Sequence, residues 1–218
     1  MNWLTDLLKY LHDSHSKNSK LNEFHKEAEN FAKRAIKNSF LNKDTDSKKK
    51  NHQYSFGTKT PHIVFNYLDY LLFFSNKDFS VYDQNDTHAD YPDFSFEFRN
   101  SVEHFYPQNP SEITTITKED GLDDFGNLCI VSINVNSKFS NLEPIAKVEG
   151  FKNMIKNGSL KLRLMAKMIL DKRLDAKGWM FSDGIDTENE PPYKVHEGEM
   201  LKLLMNDCDC TNTDNYTS

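Results

Sequence analysis

Apolar residues recur at helical spacing over much of the chain and alternate strictly in one short stretch. Trp3, Leu4, Leu7, Leu8 and Leu11 mark one helical face, and Phe24, Ala28, Phe31, Ala35 and Ile36 mark another. NKDTDSKKKNHQ, residues 42 to 53, has no apolar period and reads as a loop or linker, its Lys48-Lys49-Lys50 run a solvated one. In TPHIVFNYLDYLLFF, Thr60 as cap and Pro61 at the first helical position predict a helix to about Phe74. Residues 76 to 93, rich in Asp and Asn, read as a loop. FSFEFR, residues 94 to 99, alternates Phe94, Phe96 and Phe98 with polar residues, which predicts a strand with one buried face. NSVEHFY either continues that strand or begins a new one. After a loop closing on GLDDFG comes NLCIVSI, an apolar run of strand type, and then a turn at NVNSKFSN. Helices are expected over Leu142 to Ile155, Ser159 to Arg173 and about Tyr193 to Met205, before a polar tail, NDCDCTNTDNYTS, expected to be disordered. The chain thus reads as α+β and mostly helical. It divides into an N-terminal helical region with linker (1–54), a central domain with its flanking helices (55–206) and a tail (207–218).

Composition narrows the function classes. With 218 residues, 16 Phe and 9 Tyr, the chain has the length and the large side chains to bury a sizeable core. A net charge of −6 argues against nonspecific coating of nucleic acid, because that affinity comes from Lys and Arg on phosphates. It leaves open a compact site that handles one phosphodiester through a metal. Three cysteines, Cys129, Cys208 and Cys210, make no even disulfide framework. No apolar stretch approaches the ~20 residues needed to cross a bilayer, and MNWLTDLLKYLHD lacks the apolar run of a secretory segment. A reducing, cytoplasmic setting is the expectation.

The chemistry gathers at strand ends. Glu103-His104 ends the first strand, Asn127 opens the second, and Asn136 leads toward a helix. Phosphodiester hydrolysis needs a base to take a proton from water, and imidazole titrates nearest neutral pH. It also needs a hard cation at the phosphoryl oxygen, for which a carboxylate and an amide carbonyl are suitable ligands. Other candidates are weaker. His196-Glu197-Gly198-Glu199 lacks the second histidine of a zinc-protease motif and reads as a helix surface. Cys208-Asp209-Cys210 has the wrong spacing for a zinc knuckle, and Cys129 reads as buried apolar filler.

VEHFYPQNP, FGNLCIVS and NSKFSN together resemble the HNH branch of the His-Me finger endonucleases, and within it the C-terminal HNH domain of GmrSD-type modification-dependent restriction enzymes. The resemblance spans roughly residues 55 to 205, with its specific part in 102 to 147. It implies a small ββα-metal core and metal-dependent hydrolysis of DNA. His104 would be the general base, Glu103 and Asn136 the metal ligands, and Asn127 the residue that supports the loop and orients the base. Mg²⁺ or Mn²⁺ is the implied cofactor, DNA the implied partner, and an NTPase or nuclease subunit a further one. Lys138 and Asn141 are weaker candidates for substrate contact, and Asn141 is also a candidate helix cap. The alternative is a catalytically silent HNH-fold subunit that binds nucleic acid or a partner within a larger NTP-dependent restriction system.

Overall fold

The structure is a computed structural model that describes residues 21–42, 53–74, 94–110, 116–175, 177–181 and 190–208. Among these, seven α-helices surround one two-stranded sheet. The helix expected near the N-terminus, residues 3–11, and most of the expected tail lie outside the described residues.

Helix α1 (Leu21–Ile36) runs on into a π turn over Lys37–Leu41, and α2 spans His62–Phe74. Thr60 does not cap α2 as expected: its hydroxyl turns back and donates to the Gly57 carbonyl at 2.8 Å. Strands β1 (Ser101–His104) and β2 (Leu128–Val131) pair antiparallel, with Ser101 opposite Val131 and His104 opposite Leu128. Helix α3 (Ile133–Phe139) follows β2 at once, α4 spans Pro144–Gly150, α5 Lys152–Lys156, α6 Leu160–Asp171 and α7 Pro192–Asp207.

The expected strand at 94–99 does not form. Its pairing partner is missing, because β2 stops at Val131 and Ser132 turns the chain into α3 by accepting from the Val135 amide. A strand needs its ladder bonds satisfied, and only from Ser101 onward is a partner present. The phenylalanine face is accordingly not buried: Phe94 is, but Phe98 is 87% exposed, while Arg99 folds inward and donates to the Asn157 carbonyl at 2.9 Å. The expected turn at NVNSKFSN is also corrected, since most of it forms the capped helix α3 and places Asn136 inside that helix. The single helix expected over 142–155 breaks into α4 and α5 at Phe151, where φ is −128°.

The sheet lies inside the core. All four β2 side chains are buried, and α2 and α6 pack on them. Leu160, Leu164, Met165, Met168 and Ile169 form the buried stripe of α6, as their spacing predicts. Helix α7 packs on the 3-10 turn at Phe125–Asn127, and His196 and Glu197 are buried there rather than exposed on a helix surface. The reason is tight contact: a Cβ at Gly126 would stand 2.1 Å from the Tyr193 carbonyl oxygen, so only glycine lets α7 approach this closely. Glu197 is buried because its carboxylate accepts the Gly126 amide at 2.8 Å and the Lys194 ammonium at 3.0 Å. No helix among the described residues is long and apolar enough to cross a membrane.

Candidate active site

The site grows from the last residues of β1. A buried strand end leaves carbonyls in need of donors, and α4 supplies one. The Lys147 ammonium, fully buried, donates to the His104 carbonyl at 2.6 Å, the Phe105 carbonyl at 3.0 Å and Glu103 Oε1 at 2.9 Å. Burial pushes the Lys147 ammonium down from its ordinary pKa, and the Glu103 carboxylate beside it offsets part of that. Lys147 thus fixes both the path of the Glu103-His104 dipeptide and one oxygen of its carboxylate.

Asn127 fixes the chain one step further on. Its Oδ1 accepts from the Tyr106 amide at 2.8 Å and from Trp179 Nε1 at 3.1 Å. Its Nδ2 donates to the Tyr106 carbonyl at 3.1 Å and the Leu122 carbonyl at 2.9 Å. The amide is fully used on scaffold, and the Asn127 carbonyl also accepts from the Phe105 amide at 2.8 Å. Asn127 therefore clips the exit of β1 to the start of β2 and makes no hydrogen bond to the His104 ring among the described residues.

The His104 ring meets a different partner. Its Nε2 lies 2.9 Å from Asp123 Oδ1, and the Lys118 ammonium lies 2.8 Å from Asp123 Oδ2. Burial works against the charged form of Asp123, but the Lys118 and His104 contacts outweigh it and hold the carboxyl below its usual range. Nδ1 of His104 carries no hydrogen bond among the described residues.

Asn136 approaches β1 from α3, its Nδ2 donating to Ser101 Oγ at 2.5 Å. Ser101 and Glu103 are two apart on β1 and share a face of the sheet, so Asn136 and Glu103 stand on the same side. Lys138 and Asn141 are exposed and make no hydrogen bond or ion pair with these residues. Asn141 does not cap α4, whose N-cap position is Glu143.

Among the described residues no group of three or more His, Cys, Asp and Glu side chains could hold a metal ion. The oxygen donors present are of the chemical kind a hard divalent ion takes. Glu103 Oε2 and Asn136 Oδ1 carry no hydrogen bond among the described residues, and both are oxygens. Two protein oxygens suit Mg²⁺, which keeps several waters and shares substrate phosphate.

Sequence reasoning thus named Glu103, His104, Asn127 and Asn136. The structure puts Glu103, His104 and Asn127 at the loop end of the hairpin, whereas Asn136 touches β1 at Ser101, the opposite end. His104, next to Glu103 on the strand, points to the other face of the sheet. Sequence reasoning missed Asp123 and Lys147. The signal for Lys147 was present, since it occupies an inward position of α4 with Pro144 and Val148. For Asp123 the only hint was a pair of acids in GLDDFG.

No curated protein and no solved structure matches the chain. Residues 41–183 match the family described as GmrSD restriction endonucleases, C-terminal domain, a stretch that holds the whole hairpin, α3 and the residues around them. The chain belongs to that family, and its β1–β2–α3 unit is the α+β core of a restriction-endonuclease type of domain.

Proposed function

We propose that the chain is a metal-dependent endonuclease that hydrolyses DNA phosphodiester bonds within a restriction or phage-defence system. The observation that carries this reading is the His104 ring, held at a buried strand end by Asp123, with no hydrogen bond to Nδ1 among the described residues. Glu103 Oε2 and Asn136 Oδ1 are the atoms that would hold Mg²⁺ or Mn²⁺. Such an ion, when bound, supplies charge to a phosphoryl oxygen and to the leaving oxygen.

The chain's own residues do the rest. His104 Nδ1 takes a proton from the attacking water as the new P–O bond forms and the bond from phosphorus to the leaving oxygen breaks, that oxygen taking its proton from solvent. Lys147 keeps the dipeptide backbone fixed, so the ring does not drift from its place. Asn127 locks Phe105 and Tyr106 behind it. General-base catalysis contributes about 10²–10⁴-fold, and that is the share assigned to His104. Lys138 and Asn141, exposed on and just after α3, are the proposed contacts to flanking phosphates.

The test is cleavage of plain, methylated and glucosylated plasmid with Mg²⁺ or Mn²⁺, and with chelator. Cleavage that requires the ion, and that needs a higher ion concentration in Asn136→Ala, supports the reading. Tight DNA binding with no ion-dependent nicking of any substrate would instead establish a silent HNH-fold subunit.

A further inference from the structure

The His104–Asp123 contact does more than bury two polar groups. A neutral imidazole has one protonated and one bare nitrogen, and the hydrogen bond at one nitrogen decides the state of the other. Asp123 is an ionised carboxylate and accepts only, so the nitrogen facing it, Nε2, must carry the proton. Nδ1 is then the bare nitrogen, which is the form a base needs.

Three features keep the Asp123 carboxylate aimed at the ring. Lys118 holds Oδ2 at 2.8 Å, which leaves Oδ1 for His104 at 2.9 Å. The Gly57 amide donates to the Asp123 carbonyl at 3.0 Å and fixes its backbone. Gly57 itself has φ +54°, and a Cβ there would stand 2.7 Å from Asp123 Oδ1. Glycine at 57 is thus required twice, by its left-handed backbone and by the space the carboxylate occupies. A 3-10 turn some 66 residues away in sequence serves as the back wall of the contact.

We propose that Asp123 is the positioning residue of this site: its carboxylate, braced by Lys118 and Gly57, fixes His104 as the Nε2–H tautomer with Nδ1 free to act as base. The kinetic consequence rests on the nuclease reading above, whereas the tautomer itself does not.

The experiment is ¹⁵N NMR of the histidine rings in the metal-free protein, read on the high-pH plateau of a pH series, with His104 assigned by its absence in His104→Ala. Wild type should show Nε2 protonated and Nδ1 bare. Asp123→Ala removes the acceptor and should populate both tautomers. Asp123→Asn fills the same space but has only one oxygen for two donors, and should also lower the Nε2–H share. On DNA, Asp123→Ala should lower kcat by about ten- to a hundredfold with KM little changed, a smaller loss than the roughly 10²–10⁴-fold a missing base gives. A wild-type ring protonated at Nδ1 overturns the proposal, whether or not the variants fold. So does a tautomer that stays unchanged in both Asp123→Ala and Asp123→Asn. A protein that cuts no DNA but shows the expected tautomers refutes the nuclease reading while upholding the Asp123 assignment.

Discussion

Two buried lysines hold the two strands of the hairpin at the same level, and they do so with different company. Lys147, from α4, binds the carbonyls of His104 and Phe105 on β1. Lys161, from α6, binds the carbonyls of Phe125 and Leu128 at the start of β2, at 3.0 and 2.6 Å. His104 and Leu128 are opposite one another in the ladder, so one register pair is gripped from both sides. The difference is the counter-charge. Lys147 has Glu103 at 2.9 Å, whereas among the described residues the Lys161 ammonium meets carbonyls, the Met165 sulfur at 3.7 Å and the Phe125 ring, whose centroid is 4.8 Å away. Burial drives Lys161 down to about 7, with Cys129, Glu197 and Asp69 opposing that at longer range. A scaffold clamp works with dipoles alone. The clamp at the candidate active site includes a carboxylate, which places Glu103 at a fixed point with its second oxygen making no hydrogen bond among the described residues.

Removing the β1 clamp should have the largest effect. Lys147→Met leaves Glu103 buried without its cation, and breaking such a pair typically costs about 3–5 kcal/mol. Urea unfolding should show a loss of this order, and DNA cleavage by the remaining folded protein should fall as well, because His104 loses its backbone anchor. The double variant Lys147→Met with Glu103→Gln should recover part of the stability and none of the cleavage. Equal stability of the single and double variants would show that the ion pair does not couple the two residues.

Lys161→Met is the contrasting case. Two carbonyls lose their donor, at about 1–3 kcal/mol each, but a buried charge disappears with it. The net loss should be smaller than for Lys147→Met, and cleavage per folded molecule should stay near wild type.

A smaller effect should appear in the pH dependence. The folded pKa of Lys161 is depressed to about 7 from an ordinary 10.5, so between these values the unfolded chain binds more protons than the folded one. Its contribution to stability therefore grows as pH rises above 7 and is lost as pH falls back to 7. Lys147 shifts in the same direction. Cys129 opposes only above its ordinary 9, because burial raises it to about 12. Denaturation midpoints should accordingly rise from pH 7 to pH 9 in wild type, and Lys161→Met should flatten that rise.

Lys138→Ala and Asn141→Ala stand at the low end. Both side chains are exposed, and stability should change by no more than about 0.5 kcal/mol. Their effect should be confined to a modest weakening of DNA binding that shrinks at higher salt.

The same comparison explains what could be read from the sequence. Glu103, His104 and Asn127 stood out because they lie at the ends of short elements whose apolar runs mark them, and Asn136, inside α3, only because its spacing from them resembles a known motif. Lys147 and Asp123 act across 44 and 19 residues, and no local period announces such contacts. What was available was an anomaly of pattern: Lys147 and Lys161 both fall on the buried stripe of an amphipathic helix. A lysine there has to find carbonyls or a carboxylate. The expected strand at 94–99 failed for the opposite reason. Its alternation was sound, but the partner strand was already turning into α3 where pairing would have begun.

The most direct test is single-turnover cleavage of labelled duplex DNA by wild type and His104→Ala with saturating Mg²⁺ or Mn²⁺, after matching circular dichroism and unfolding midpoints. The expected result is ion-dependent cleavage by wild type and a rate at least about 10²-fold lower in the variant, the low end of what a general base supplies. Equal rates for the two proteins would contradict the assignment of His104 as the base.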